Sequence, residues 1–129
     1  MKLIQRDELQ KEFLPGRTIQ KAVGKDAPSR SRRMTMGFAH YSEQSGPMEP
    51  HHHAEEIVHI LSSKNGWVRL GVNPDQLSEP IPLTTGMTLH FPPLEWHVFE
   101  FSSGGHVDII FFYGQVDNIR PEEIISSQA

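Results

Sequence analysis

The chain has 129 residues, enough for one domain with a sizeable hydrophobic core, and its net charge is −4. It contains no cysteine, which excludes disulfide bonds, thiolate nucleophiles and zinc fingers. Ten glycines and ten prolines indicate frequent chain reversals, so the composition favours short β-strands over a helical bundle.

The charge is distributed unevenly along the chain. Residues 1–33 carry nine Lys or Arg against four Asp or Glu, and the rest carries three against twelve. We interpret the basic cluster of Arg30, Arg32 and Arg33 as a solvated loop, with an anion contact as the alternative. Because the body of the protein is acidic, we expect no nucleic-acid partner. Neither a secretory signal nor an apolar run of membrane-spanning length is present, so we expect a cytoplasmic protein without a membrane partner.

Near the N-terminus, residues 3–14 are predicted to form a short amphipathic helix with Asp7 as its N-cap, or else an extended segment. Strands are predicted over Thr18–Val23 and Met34–Tyr41. Alternation in the second strand places three side chains on one face, which we expect to be the inner one: Met36, Phe38 and His40.

Further along the chain, Asn65-Gly66 predicts a β-hairpin. The strands around and after it are Glu56–Leu61, Trp67–Val72, Met87–Phe91, Trp96–Phe101 and Val107–Tyr113, with a tight turn at 102–105. Eight or nine short strands are typical of a sandwich or barrel. We predict one domain over 1–129, with an N-terminal segment at 1–33, a barrel core at about 34–114 and a polar tail at 115–129.

Two segments carry residues that indicate a metal site. His51 and His53 are two positions apart on an extended backbone, so their side chains point the same way. Glu56 follows closely, and His97 starts a later strand. Three imidazoles and one carboxylate suit a divalent ion such as Mn, Fe, Ni or Zn.

These segments resemble the two sequence motifs of the cupin superfamily. In the second motif, Gly86, Pro92 and His97 match the spacing, while Leu94 replaces a glycine and Phe101 an asparagine. Neither replaced position is a metal ligand in the family, so the departure concerns the shape of the turn.

The first motif is looser. A proline followed by His51-x-His53 resembles the opening of the motif, but only two residues separate His53 from Glu56. His52 has the usual interval to Glu56 and is an alternative to His53, and Glu55 is an alternative to Glu56. We prefer His53 because of the preceding proline, and Glu56 because of the register of the strand that follows.

The resemblance implies an all-β fold, a single antiparallel double-stranded β-helix known as the cupin or jelly-roll barrel. It also implies one divalent metal ion per chain on His51, His53, Glu56 and His97, and pairing as a homodimer. Strand alternation adds the pocket candidates Met36, Phe38, His40, Phe99 and Tyr113.

Four protein ligands leave one or two positions open on a five- or six-coordinate ion, which is typical of a reactive site. We therefore expect a metal-dependent dioxygenase, isomerase or lyase that chelates a small keto, enol or sugar-acid compound. The alternative is a non-catalytic cupin that binds a sugar or another metabolite. The fold alone does not choose between them.

Overall fold

A computed structural model describes residues 1–114, so the predicted tail at 115–129 lies outside the described residues. Within residues 1–114 there is no α-helix, and 3₁₀ turns occur at Arg6–Glu8 and Glu43–Ser45. The strands are β1 (Glu12–Leu14), β2 (Arg17–Gly24), β3 (Ser29–Arg30), β4 (Thr35–Ser42), β5 (Glu56–Gly71), β6 (Ile81–Pro82), β7 (Thr88–Phe91) and β8 (Trp96–Tyr113). No helix in this part of the chain is long and apolar enough to cross a membrane.

The strands form one sheet in the order β1-β2-β4-β8-β5-β6, with β3 beside β2 and β7 beside β5. Every pairing between them is antiparallel except the short one between β2 and β3. The predicted all-β class is confirmed, and the sheet is not closed into a complete ring. Strand β2, which precedes the predicted core, is paired along its length with β4.

The two long strands β5 and β8 pair along almost their whole length, and both bend in the middle. The register shifts between Ile60 and Ser62 and again between Lys64 and Gly66, leaving residues 102–105 of β8 outside the pairing. The predicted hairpin at Asn65-Gly66 is therefore wrong, because this pair forms a bulge within β5. Asn65 has φ 51°, which supplies the local bend without reversing the chain.

The bend divides the paired strands into two halves. One half contains residues 56–64 and 106–113, and the other contains residues 66–71 and 96–101. The two halves fold over each other, and the core lies between them. Tyr41 on β4 packs against Phe99 on β8 with ring centroids 5.0 Å apart. Val58 and Ile60 are buried with these two rings in one hydrophobic cluster.

The prediction for the inner face of β4 is wrong. Thr35, Gly37, Ala39 and Tyr41 are the buried positions, while Met36, Phe38 and His40 lie on the opposite face. Aromatic side chains of β8 fill the interior here, and a Cβ at Gly37 would lie 2.7 Å from the Phe111 ring. The inner face of β4 therefore requires small residues at Gly37 and Ala39. The larger side chains of Met36 and Phe38 lie on the outer face for this reason.

The predicted N-terminal helix is also wrong, and the extended alternative is the one observed. Leu3 and Phe13 are 85% and 77% exposed, so the apolar residues do not share a buried face. The segment instead extends the edge of the sheet through β1 and attaches to its outer face through Arg6.

Arg6 is the main anchor of this segment. Its guanidinium donates two hydrogen bonds to Asp108, at 2.6 and 2.7 Å, and lies 4.6 Å above the Phe38 ring. His40 also contacts Asp108, with 2.9 Å between Nδ1 and Oδ1. Burial raises the pKa of Asp108, but the hydrogen bonds from Arg6 and His40 outweigh that effect and bring the pKa below its ordinary value.

Replacing Asp108 tests this anchor. We expect Asp108→Asn to lower the free energy of unfolding by about 1–3 kcal/mol, because Arg6 then lacks its charged partner. The difference should shrink as the pH falls below about 4, since a carboxylate with a lowered pKa stabilises the fold only while it is ionised. Urea unfolding measures both effects.

Glu12→Gln is the matched control, because Glu12 is 45% exposed and lies 3.8 Å from Lys21. It should change the unfolding free energy by less than about 0.5 kcal/mol. Equal stability of Asp108→Asn and the unmodified protein at neutral pH would show that the N-terminal segment is held by other contacts.

Candidate metal centre

The segment before β5 is held against the start of β8 by a backbone bridge. The His51 amide donates to the His97 carbonyl at 3.0 Å, and the His97 amide donates to the His51 carbonyl at 2.8 Å. Because directly paired residues share a face, this bridge sets the two imidazoles side by side, with ring centroids 4.6 Å apart.

The four side chains singled out as ligands converge on one point. One ring nitrogen each from His51, His53 and His97 lies within 4.8 Å of the others. Glu56 Oε1 lies 3.6 Å from His53 Nε2 and 3.5 Å from His97 Nε2. His53, Glu56 and His97 are buried, and His51 is partly exposed.

Backbone carbonyls orient all three rings. The Nδ1 atoms of His51, His53 and His97 face the carbonyl oxygens of Glu49, Ala54 and Glu95, at 3.4, 3.4 and 3.1 Å. A carbonyl only accepts a hydrogen bond, so each Nδ1 carries the proton and each Nε2 keeps its lone pair. Neutral imidazoles with Nε2 lone pairs turned to a shared centre are prepared to bind a metal.

Unsatisfied polar atoms mark the same point. Among residues 1–114, the buried side-chain atoms without a hydrogen-bond partner are Glu56 Oε1 and His97 Nε2 in the cluster, and Ser63 Oγ, which lies beside Gly66. A buried carboxylate oxygen and a buried lone pair without donors are costly, and a cation between them would satisfy both. The residues present therefore fit a divalent metal ion.

The pKa values describe an environment that disfavours charge. Burial, followed by the neighbouring His97 and His53, lowers the pKa of His51 to about 2. Burial, followed by His53, lowers the pKa of His97 to about 3. Burial also raises the pKa of Glu56 to about 8. His51 and His97 are thus neutral at physiological pH, and the Glu56 carboxylate requires a positive neighbour to remain ionised.

The two alternative ligands lie elsewhere. His52 stacks on Trp96, with ring centroids 3.8 Å apart, and its Nδ1 faces the Leu94 carbonyl at 3.2 Å. Glu55 is exposed and contacts His90 at 2.6 Å. This arrangement favours His53 over His52, and Glu56 over Glu55, as members of the cluster.

The predicted pocket residues separate into two groups. Phe99 is buried in the core, and Tyr113 lies beside the cluster with its hydroxyl 3.3 Å from His53 Nε2. The other three, Met36, Phe38 and His40, lie on the outer face of β4, although Met36 reaches the rim of a cavity of about 720 Å³ that also touches Glu56 and Tyr113.

Sequence reasoning missed two residues of the inner face. Tyr41 is buried opposite Phe99, and Arg17 on β2 is partly buried. The small residues Gly37 and Ala39 alternate with Tyr41 and could have assigned Tyr41 to the interior, whereas the position of Arg17 depends on the register between β2 and β4. The basic cluster of Arg30, Arg32 and Arg33 is largely exposed, as expected of a solvated loop.

Leu94 occupies the position where the resembled motif has glycine. It adopts φ 67°, in the left-handed region, and its amide donates to the His53 carbonyl at 2.9 Å. The turn is thus retained without glycine, at a conformational cost of roughly 1–2 kcal/mol. Its hydrogen bond connects the turn of the second motif to a member of the cluster.

Comparisons with known proteins agree with this geometry at the level of the fold. No protein-family model matches the sequence, and no curated protein matches it. Among solved structures, a protein from Planctomyces limnophilus is 20% identical, with a TM-score of 0.69 and coverage of 95% of this chain and 94% of that chain. The polyketide cyclase RemF from Streptomyces resistomycificus is 23% identical, with a TM-score of 0.66 and coverage of 87% and 78%.

A third match is Fe(II)-HppE with the alternative substrate (S)-1-HPP, which is 14% identical and has a TM-score of 0.64. The alignment covers 88% of this chain and 60% of that chain. These matches confirm that the chain has the cupin fold. The chain combines this fold with a histidine triad of metal-binding geometry.

Leu94 provides a test of the turn that supports the cluster. The side chain is 44% exposed, so Leu94→Gly removes the left-handed strain and loses little buried surface. We expect the free energy of unfolding to rise by about 0.5–1 kcal/mol, measured by thermal or urea unfolding.

Gly86→Ala is the matched control, because Gly86 has φ 93° and no atom lies within 4 Å of the position that a Cβ would take. Strain alone should then lower stability by about 1 kcal/mol. If Leu94→Gly is instead destabilising, the Leu94 side chain contributes packing that outweighs its backbone conformation.

Proposed function

We propose that the protein is a metal-dependent cupin enzyme of the dioxygenase, isomerase or lyase type. One divalent ion, Mn, Fe, Ni or Zn, would be held by His51, His53, Glu56 and His97. The observation that carries the proposal is the convergence of one ring nitrogen from each of three histidines beside a buried carboxylate oxygen that has no hydrogen-bond donor. When bound, such an ion supplies Lewis acidity to chelated substrate oxygens, and iron also supplies O₂ chemistry.

Aromatic rings around the cluster would strengthen the electrostatic interactions of a bound ion and hold the proposed ligands in place. The Phe91 ring stacks on His97 with centroids 4.1 Å apart, and the Phe99 centroid lies 6.2 Å from that of His97. Both rings are buried. In such an apolar setting, interactions with a polar substrate are stronger than in water, and small keto, enol or sugar-acid compounds present the oxygen atoms required.

Tyr113 is the residue best placed to hold a proton at this site. Burial and the nearby Glu56 raise its pKa well above the ordinary value, so the phenol stays protonated. Its hydroxyl lies beside His53 Nε2 and can donate to Glu56 or to a substrate oxygen. We assign Tyr113 the role of a neutral hydrogen-bond donor within the substrate site.

The structural neighbours support a metal-dependent enzyme. They include a polyketide cyclase and an Fe(II) enzyme with a bound substrate. At 23% identity and below, what they share with this chain is the fold.

The second candidate is a non-catalytic cupin that binds a sugar or another metabolite. It is favoured by the few acid–base groups at the cluster: apart from the four proposed ligands, the buried titratable side chains nearest it in the described chain are Tyr41 and Tyr113. Turnover by metal-loaded protein on a panel of diketones, enols, uronates and keto sugars would exclude this candidate, and tight binding without turnover would favour it.

We also propose that the protein forms a homodimer and is located in the cytoplasm. Ile57 and Phe112 pair across β5 and β8 on the outer face and are 44% and 42% exposed. Such an exposed apolar pair is suited to a contact with a second copy.

Paired variants test the metal site. We expect one equivalent of metal per chain in protein purified without a histidine tag, measured by elemental analysis. His53→Ala and Glu56→Gln should lower the metal content at least about tenfold, because each removes a proposed ligand.

His52→Ala and Glu55→Gln are the matched controls, since each lies beside a proposed ligand in the sequence and points away from the cluster. They should retain the full equivalent. Loss of metal in a control variant with retention in its neighbour would reassign the ligand, and metal-free protein after reconstitution would contradict the proposed function.

A further inference from the structure

Arg17 lies on the inner face of the sheet, where a charged residue is unusual. The register of β2 with β4 pairs Thr18 with His40 and Ile19 with Ala39, which sets Arg17 opposite Tyr41. Directly opposed residues of an antiparallel pair share a face. Tyr41 is buried against Phe99, so Arg17 belongs to the same interior side as the metal cluster.

The backbone before Arg17 is fastened to the segment that leads to His51. The Gly16 amide donates to the Ser45 carbonyl at 2.8 Å, and a Cβ at Gly16 would lie 2.8 Å from Met48 Cα. Gly16 also has φ 86°, in the left-handed region. Both the close approach to Met48 and this backbone conformation therefore favour glycine here. His51 is the partly exposed member of the triad, and the start of β2 is therefore attached beside the more open side of the site.

Arg17 differs from Arg6 and Arg69, which are both paired with carboxylates. Arg6 binds Asp108 with two hydrogen bonds, and Arg69 binds Glu100 with two. Within residues 1–114, the hydrogen bond of the Arg17 guanidinium is one of 3.4 Å to the Pro15 carbonyl, and no carboxylate there pairs with it. A partly buried guanidinium thus keeps most of its donors available.

The charge of Arg17 acts on the buried side of the sheet, because it opposes the rise in the pKa of Tyr41. The register of β2 with β4 places Tyr41 opposite Arg17, which agrees with a guanidinium on the interior side.

We propose that Arg17 binds a carboxylate of the substrate while other oxygen atoms of the same molecule chelate the metal. The inference rests on the proposed function and narrows its substrate class to small metal-chelating acids. A guanidinium presents two parallel N–H donors that match a carboxylate, and no other unpaired cation on the described inner face offers this geometry. Arg17 is then a specificity-determining residue and need not take part in the chemical step.

Matched pairs of chelators test this assignment on the full-length, metal-loaded protein. 2-Oxoglutarate and 2-oxoadipate share a chelating head with 2-oxopentanoate and 2-oxohexanoate, respectively, and differ in the distal carboxylate. By calorimetric titration, the unmodified protein should bind at least one diacid about tenfold or more tightly than its monoacid partner. Arg17→Gln should remove this preference, and Arg17→Lys should retain part of it.

Lys21→Gln is the control, because Lys21 lies on the same strand and contacts Glu12. It should leave the preference unchanged, and elemental analysis should find one equivalent of metal in every variant. Equal affinity for diacid and monoacid in the unmodified protein, or a preference that survives Arg17→Gln, would overturn the role of Arg17 and leave the proposed metal site intact. Failure of metal-loaded protein to bind any of the four compounds would likewise overturn the role of Arg17, whereas absence of metal from the unmodified protein after reconstitution would overturn the proposed function as well.

Discussion

The bend in the paired strands β5 and β8 is the constraint on which the site depends. Glu56 lies at the start of β5 and pairs with Tyr113, whereas His97 lies at the other end of β8 and pairs with Leu70. In a flat pair of strands these two residues would be far apart. Their side chains are 3.5 Å apart because the bulges near Gly66 and at residues 102–105 fold one arm over the other.

The same fold buries the Glu56 carboxylate in a place where a nearby cation would stabilise its charge. Folding the arms together buries Glu56 among aromatic rings and neutral imidazoles, where ionisation is unfavourable. Each imidazole is held by a carbonyl at Nδ1, so none can donate from Nε2 to the carboxylate. The arrangement is poor as a hydrogen-bonded core and well suited to a divalent ion, which is why we attribute it to metal binding.

Local features of the sequence were sufficient to predict the class of fold and the residues that converge. The alternation of His51 and His53, the later His97 and the many turn residues are short-range signals that require no knowledge of strand pairing. The choice between His52 and His53, and between Glu55 and Glu56, depended on orientation, which the structure supplies through the Trp96 stack and the His90 contact.

The errors came from long-range packing. Asn65-Gly66 carries a hairpin signal, yet the pairing of β5 with β8 outweighs it. Phe38 is more hydrophobic than Ala39, which favoured the face of Phe38 as the inner face of β4. The space next to Phe111 admits only small residues, so Ala39 lies on the inner face and Phe38 on the outer face. Arg17 escaped notice for the same reason, because its place beside Tyr41 follows from the register between β2 and β4.

The most direct test of the metal centre is anomalous X-ray diffraction from a crystal of metal-loaded protein. We expect one strong anomalous peak per chain, bonded to Nε2 of His51, His53 and His97 and to Glu56 at roughly 2.0–2.3 Å, with at least one position open to water or substrate. A peak at surface residues such as His90 and Glu55, or no peak between the four side chains, would contradict the account.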